Sequence, residues 1–137
     1  AAGDLGGSVT VTASAILKGD ASLLVYRGVD PAAPVSASAI AFDSVTSAAH
    51  TTPQVAGVAD GVLVSYWGEK SSATTTLVLP VDVALRASST GTGSGRVTAA
   101  AGETRIAVAG TVGGLTATAD SASSKAFMAS IVLRPAP

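Results

Sequence analysis

Apolar and polar positions alternate with a period of two along much of this chain. Val9, Val11, Ala13 and Ala15 interleave with Ser8, Thr10, Thr12 and Ser14, which predicts a half-buried strand over Ser8 to Leu17. Gly19-Asp20 interrupts it. Leu23-Leu24-Val25-Tyr26 then reads as a strand apolar on both faces, as a central strand would be. The two runs predict an antiparallel hairpin around Lys18-Gly19-Asp20. Pro31 and Pro34 break the ladder because proline lacks the N–H that a ladder uses.

Val35 to Phe42 reads as a short edge strand and Ser44 to Pro53 as loop or edge. Gly61 to Trp67 is the clearest strand of the middle section, with Val62, Val64 and Tyr66 on one face and Leu63, Ser65 and Trp67 on the other. Gly68 to Ser72 reads as a loop. Strands are predicted over Thr74 to Leu79, Val83 to Ala87, Thr104 to Ala109, Leu115 to Ala119 and Ala126 to Leu133. Ser88 to Gly95 is a Gly/Ser/Thr tract, predicted to be an exposed loop. Only Arg96 to Glu103 has the makings of a short helix, against its β-branched start. Short strands with turn signals every 8–12 residues or so predict an all-β fold. The expected architecture is a single antiparallel β-sandwich over 1–137, jelly-roll-like, with Val62, Val64, Ile131 and Leu133 buried.

Composition sharpens that picture. Of 137 residues, 28 are Ala and 17 are Val, so the larger apolar side chains are few and mostly β-branched. Such a thin core suits stacked sheets better than packed helices. The net charge is −1, and Arg27, Arg86, Arg96, Arg105, Arg134, Lys18, Lys70 and Lys125 are scattered. That is not the clustered basic patch of a nucleic-acid binder. No apolar run approaches the ~18 residues of a membrane span, so membrane insertion is not expected.

Four motifs stand out in order. They are Tyr26-Arg27-Gly28-Val29-Asp30 followed by Pro34; His50-Thr51-Thr52-Pro53; Val64-Ser65-Tyr66-Trp67; and Gly113-Gly114-Leu115-Thr116-Ala117-Thr118. Together they resemble a β-sandwich module of actinobacterial exported multidomain surface proteins, and are similar to "YRGVD"-containing domains of phage tails and virion surfaces. The resemblance covers nearly the whole chain. It implies an extracellular or virion-surface location and a structural, adhesive or glycan-contacting role, with no catalytic residue to carry over. Members of that group run through further strands before the segment matching Ala1 to Val11.

The candidate chemistry is sparse. There is no cysteine, and His50 is the one side chain that ordinarily titrates near neutrality. Catalysis would need a nucleophile and an orienting acid around it. Asp43 and Ser47 are near in sequence, but no Gly-x-Ser-x-Gly elbow occurs. His50 is therefore expected at the surface or as a cap, and a hydrolase stands last among the readings. Gly91 to Gly95 lacks the Lys-Ser/Thr of a phosphate loop. Most acidic residues neighbour Gly or Pro, where a short carboxylate caps its own turn. No cofactor is expected, and a loop calcium ion held by aspartates and carbonyls is the one ion left open.

The leading expectation is a non-catalytic structural or adhesive module. The alternative is a carbohydrate-binding module, for which Trp67, Tyr66 and Tyr26 are the stacking candidates. Weakly charged strands offer little protection against edge-to-edge pairing, so the expected partners are other copies of the chain or neighbouring domains. Ala1 to Gly7 reads as an inter-strand loop leading into the Ser8 strand, which predicts that further N-terminal strands are supplied from elsewhere.

Overall fold

A computed structural model describes residues 8–15 and 17–137. The expected Ala1–Gly7 loop, and Ile16 within the expected first strand, lie outside the described residues. Ten strands run in chain order: β1 (Val35–Asp43), β2 (Ser47–Thr51), β3 (Val55–Gly57), β4 (Val62–Ser71), β5 (Leu77–Val78), β6 (Ala84–Thr90), β7 (Arg96–Arg105), β8 (Gly110–Val112), β9 (Thr116–Ser123) and β10 (Ala126–Leu133). No helix occurs among the described residues. Every strand pairing is antiparallel.

Five strands form one sheet in the order β1-β10-β4-β7-β6, and three form a second in the order β2-β9-β5, with β3-β8 as a separate ribbon. The all-β antiparallel sandwich is thus established. The pairing gives sheets of five and three strands with a two-stranded ribbon, and does not show the jelly-roll arrangement expected within that class.

The core lies between the sheets. Trp67, Val83, Ala117, Ala126 and Met128 form one buried cluster, packed by Leu77, Leu79 and Leu115. Leu63, Ile106 and Val132 form another, beneath Val55, Val58 and Val112. Period two assigns the faces. On β4, Leu63, Ser65, Trp67 and Glu69 point inward; on β10, Ala126, Met128, Ser130 and Val132 do. The expected burial of Val62, Val64, Ile131 and Leu133 is corrected: all four are half-buried on the outer face. The alternation is as read, but the core takes the opposite set, which holds the Trp.

Several expectations change with pairing. The Ser8–Leu17 and Leu23–Tyr26 segments form no strand among the described residues, and the expected hairpin between them is not formed there. The helix candidate Arg96–Glu103 is β7, paired with β4 on one side and β6 on the other. β4 continues through the expected loop Gly68–Ser71, and Thr74–Leu79 contracts to β5. β6 takes in Ser88, Ser89 and Thr90, so the exposed loop begins only after them. The segments β3 and β8 carry no alternation long enough to be read from sequence.

One glycine is required by geometry. Gly113 has φ +91°, and a Cβ there would lie 2.3 Å from the Pro53 carbonyl oxygen. The Gly113-Gly114 turn closes against the segment after β2: the Gly114 N–H donates to the Thr52 carbonyl at 3.1 Å, and the Thr52 N–H to the Leu115 carbonyl at 2.9 Å. A side chain at Gly113 meets both steric obstacles at once.

Candidate functional site

The single histidine is the centre of a buried polar chain that ties the two sheets together. His50 lies on β2, Asp43 ends β1 and Glu69 lies on the inner face of β4, so the imidazole reaches across the sandwich. Its Nδ1 is 2.6 Å from Asp43 Oδ2 and its Nε2 is 2.9 Å from Glu69 Oε2. Thr74 Oγ1 donates to the other Glu69 oxygen at 2.6 Å, and Thr98 Oγ1 donates to the Thr74 carbonyl at 3.0 Å. His50 is only 1% exposed, and Glu69 and Thr74 are equally buried. The expected surface or capping role is therefore corrected.

Both ring nitrogens face carboxylate oxygens. Each contact is a hydrogen bond only if it contains a hydrogen, which requires either an imidazolium between two carboxylates or a neutral ring beside one protonated carboxyl. Either form satisfies both nitrogens. Neither leaves one free to take a proton from a nucleophile.

Trp67 belongs to the same assembly. Its ring is 0% exposed at the centre of the core, and its Nε1 donates to the His50 carbonyl at 3.0 Å. A sugar has no access to its face, so Trp67 is a core anchor and not a stacking platform. The other two candidates are placed differently. Tyr66 and Tyr26 both line the outer side of the five-stranded sheet.

That outer side is crossed by residues 17–29, which run over it as an irregular strap. Asp20 pins the strap by accepting hydrogen bonds from Tyr66 Oη at 3.2 Å and from the Ser89 hydroxyl. Lys18 reaches the Ser94 carbonyl at one end. At the other end the Asp30 N–H donates to the Arg134 carbonyl at 3.0 Å, and Val29 bridges to Pro135. Asp30 also accepts from the Ala32 N–H at 2.8 Å, the self-capped turn expected beside Pro31. Its ion partner is Arg134, at 4.0 Å.

Strap and sheet enclose an apolar groove of about 860 Å³, with Leu23, Leu24, Tyr26, Ile40, Phe127 and Ile131 among its walls. Burial pushes the Tyr26 phenol up to about 12, with the neighbouring Glu103 carboxylate adding to the shift. The Tyr26 hydroxyl, although close enough to feel Glu103, makes no hydrogen bond of normal geometry. Tyr66 is raised further, first by burial and then by the Asp20 charge.

Beside the groove is an open hollow of about 490 Å³ where Phe42, Tyr66 and Phe127 meet Lys18, Asp43 and Lys125. Its aromatics form a row. The Phe42 and Phe127 centroids are 5.2 Å apart and those of Tyr66 and Phe127 5.9 Å, both edge-to-face. Phe42 and Phe127 escape a sequence reading because the register that sets them opposite one another joins strands at the two ends of the sandwich sequence. No group of three His, Asp or Glu side chains placed to hold a metal ion occurs among the described residues.

No family model, curated protein or solved structure matches this chain.

Proposed function

We propose that this chain is a non-catalytic structural or adhesive module of a bacterial cell or virion surface, working against neighbouring domains or further copies of itself. The observation that carries the reading is where the reactive groups lie. The one histidine is used at both nitrogens to join two sheets, and the one tryptophan fills the core. Chemistry is turned inward, while the apolar side chains Ile40 and Phe42 are turned out, at 61% and 70% exposure. Large exposed apolar groups favour contact with other surfaces. The four ordered motifs that resemble surface modules support the location.

One observation favours carbohydrate binding as a second reading. The Phe42–Phe127–Tyr66 row beside Lys18, Asp43 and Lys125 combines aromatic faces with hydrogen-bonding groups, as sugar recognition requires.

A glycan array and a hydrolase panel, run with wild type, Phe42→Ala and His50→Ala, test the assignment. Neither binding nor turnover is expected. Glycan binding that disappears in Phe42→Ala replaces the structural reading with the carbohydrate one. Turnover that disappears in a folded His50→Ala protein makes the chain an enzyme.

A further inference from the structure

We infer that two copies of this chain join edge to edge through β1, extending the five-stranded sheet across a two-fold axis. The inference rests on the structural reading above and names its partner: a second copy.

The argument begins with the sheet edges. β1 and β6 are the outer strands of the five-stranded sheet. An outer strand presents a row of unpaired N–H and C=O groups, and proteins commonly blunt it with charge, proline, bulges or short length. β6 is blunted twice. It carries Arg86, ion-paired to Glu103, and its register shifts between Leu85 and Ala87. In the second sheet the outer strands β2 and β5 have five residues and two, and β2 also has an irregular register. The β3-β8 ribbon has three residues in each strand.

β1 differs from all of these. It has nine residues, and from Val35 to Phe42 it contains no charge and no proline. Its one irregularity lies at its start, between Val35 and Ala37; from Ala37 to Asp43 the pairing with β10 is unbroken. Among the described residues no strand pairs with the other side of β1, which is long and regular enough to template another strand.

Its side chains suit a copy of itself. Ser38, Ile40 and Phe42 share the outer face, where Ile40 and Phe42 are exposed large apolar residues. Antiparallel pairing about an axis near Ile40 brings the two Ile40 side chains together and sets each Phe42 beside the partner's Ser38. Cross-strand pairs of this kind stabilise a sheet. Charge selects the same orientation. Asp43 is the only charge on β1, and the antiparallel arrangement sends the two copies of it to opposite ends of the seam. A parallel arrangement would align them. Each β1 sees the same surface it presents, as a two-fold contact requires.

Light scattering over a concentration series, with circular dichroism to verify folding, tests the interface on wild type, Ile40→Lys and Val9→Lys/Val11→Lys. The expected result is a wild-type dimer, loss of the dimer in Ile40→Lys, and a dimer retained in the Val9/Val11 variant. Ile40→Cys and the double substitution Ser38→Cys/Phe42→Cys give an independent readout, because each puts sulfurs at directly opposed seam positions and the chain has no other cysteine. Oxidation should link one or both as a covalent dimer. A wild type that stays monomeric overturns the inference. So does an oligomer that persists in Ile40→Lys, or one lost only in the Val9/Val11 variant. If Ile40→Lys does not fold, failure of both cysteine variants to crosslink overturns it. None of these results touches the glycan and hydrolase tests, so the interface and the structural reading fail separately.

Discussion

β4 and the segment Ser8–Ala15 are written in the same period-two alphabet, and only one of them is a strand. β4 lies between β10 and β7, so both rows of its backbone groups have partners, and its inward set closes the core. Ser8–Ala15 has no strand partner among the described residues, and Val9 and Val11 remain 68% and 78% exposed. The difference shows what alternation encodes. It says which side chains share a face, but ladder partners and a covered face must come from elsewhere in the fold. Fixing a residue's backbone costs about 1–2 kcal/mol. β4 offsets that with ladder bonds and burial; Ser8–Ala15 has neither.

The sharpest way to break the comparison is to empty the inward face of β4. Trp67→Ala removes the largest buried side chain and should destabilise the fold by about 3–5 kcal/mol, measured by urea denaturation. A loss below about 1 kcal/mol would mean that the core does not depend on that face. Next is the link between the sheets. His50→Ala leaves the Glu69 carboxylate buried beside Thr74 without its imidazole partner, which should cost about 3 kcal/mol. Glu69→Gln retains hydrogen-bonding capacity at both sites and should cost less.

The strap tests an intermediate case: a segment fixed without a ladder. Asp20→Ala removes the acceptor for Tyr66 and Ser89 and should cost about 1–2 kcal/mol, at roughly 1 kcal/mol per hydrogen bond. Its pH signature has a definite sign. Tyr26 is held neutral in the folded chain, with its ionisation raised from the ordinary 10.0 to about 12. A raised phenol stabilises the fold fully below pH 10, and that contribution disappears as pH climbs through about 12. Ultraviolet titration should show both tyrosines ionising late, and Tyr66 should move down in Asp20→Ala.

Smaller effects belong to the exposed periphery. Asp120 accepts from the Thr75 hydroxyl and from the Thr75 and Thr76 N–H groups, which draw its carboxyl down to about 2. The sign is opposite to that of the phenol: its contribution is present above the ordinary carboxyl range and fades as pH falls through about 2. Asp120→Asn should flatten the acid limb of the stability profile slightly. Smallest of all, Val9→Ser/Val11→Ser should change monomer stability by less than about 0.5 kcal/mol, because neither side chain is covered. A larger loss would give Ser8–Ala15 a structural partner and erase its contrast with β4.

Sequence made the class of fold legible, and β10 over its full span, because Ala126 to Leu133 is bounded by a charged turn and a proline. It revealed the two faces of β4 but not which was inner. That depends on the strap covering one face loosely and a second sheet covering the other fully. The edge position of β1 was legible from the prolines before it. The polar chain was only half visible: Asp43 and His50 are neighbours along the chain, whereas the composition around Glu69 predicts a loop. Polar composition there concealed an unbroken alternation, in which Trp67 and Glu69 face inward while Gly68 and Lys70 face outward.

The place of β10 has a consequence in time. The last strand of the ten lies between β1 and β4, so the first strand of the sandwich has no neighbour in its sheet until residue 133 exists. A nascent chain can pair β4, β6 and β7 early, but β1 and its exposed Phe42 must wait while about ninety further residues are made. Closing so long a loop places this chain among the slower-folding β topologies. During that wait the uncharged edge that suits a second copy has neither its own partner nor its twin.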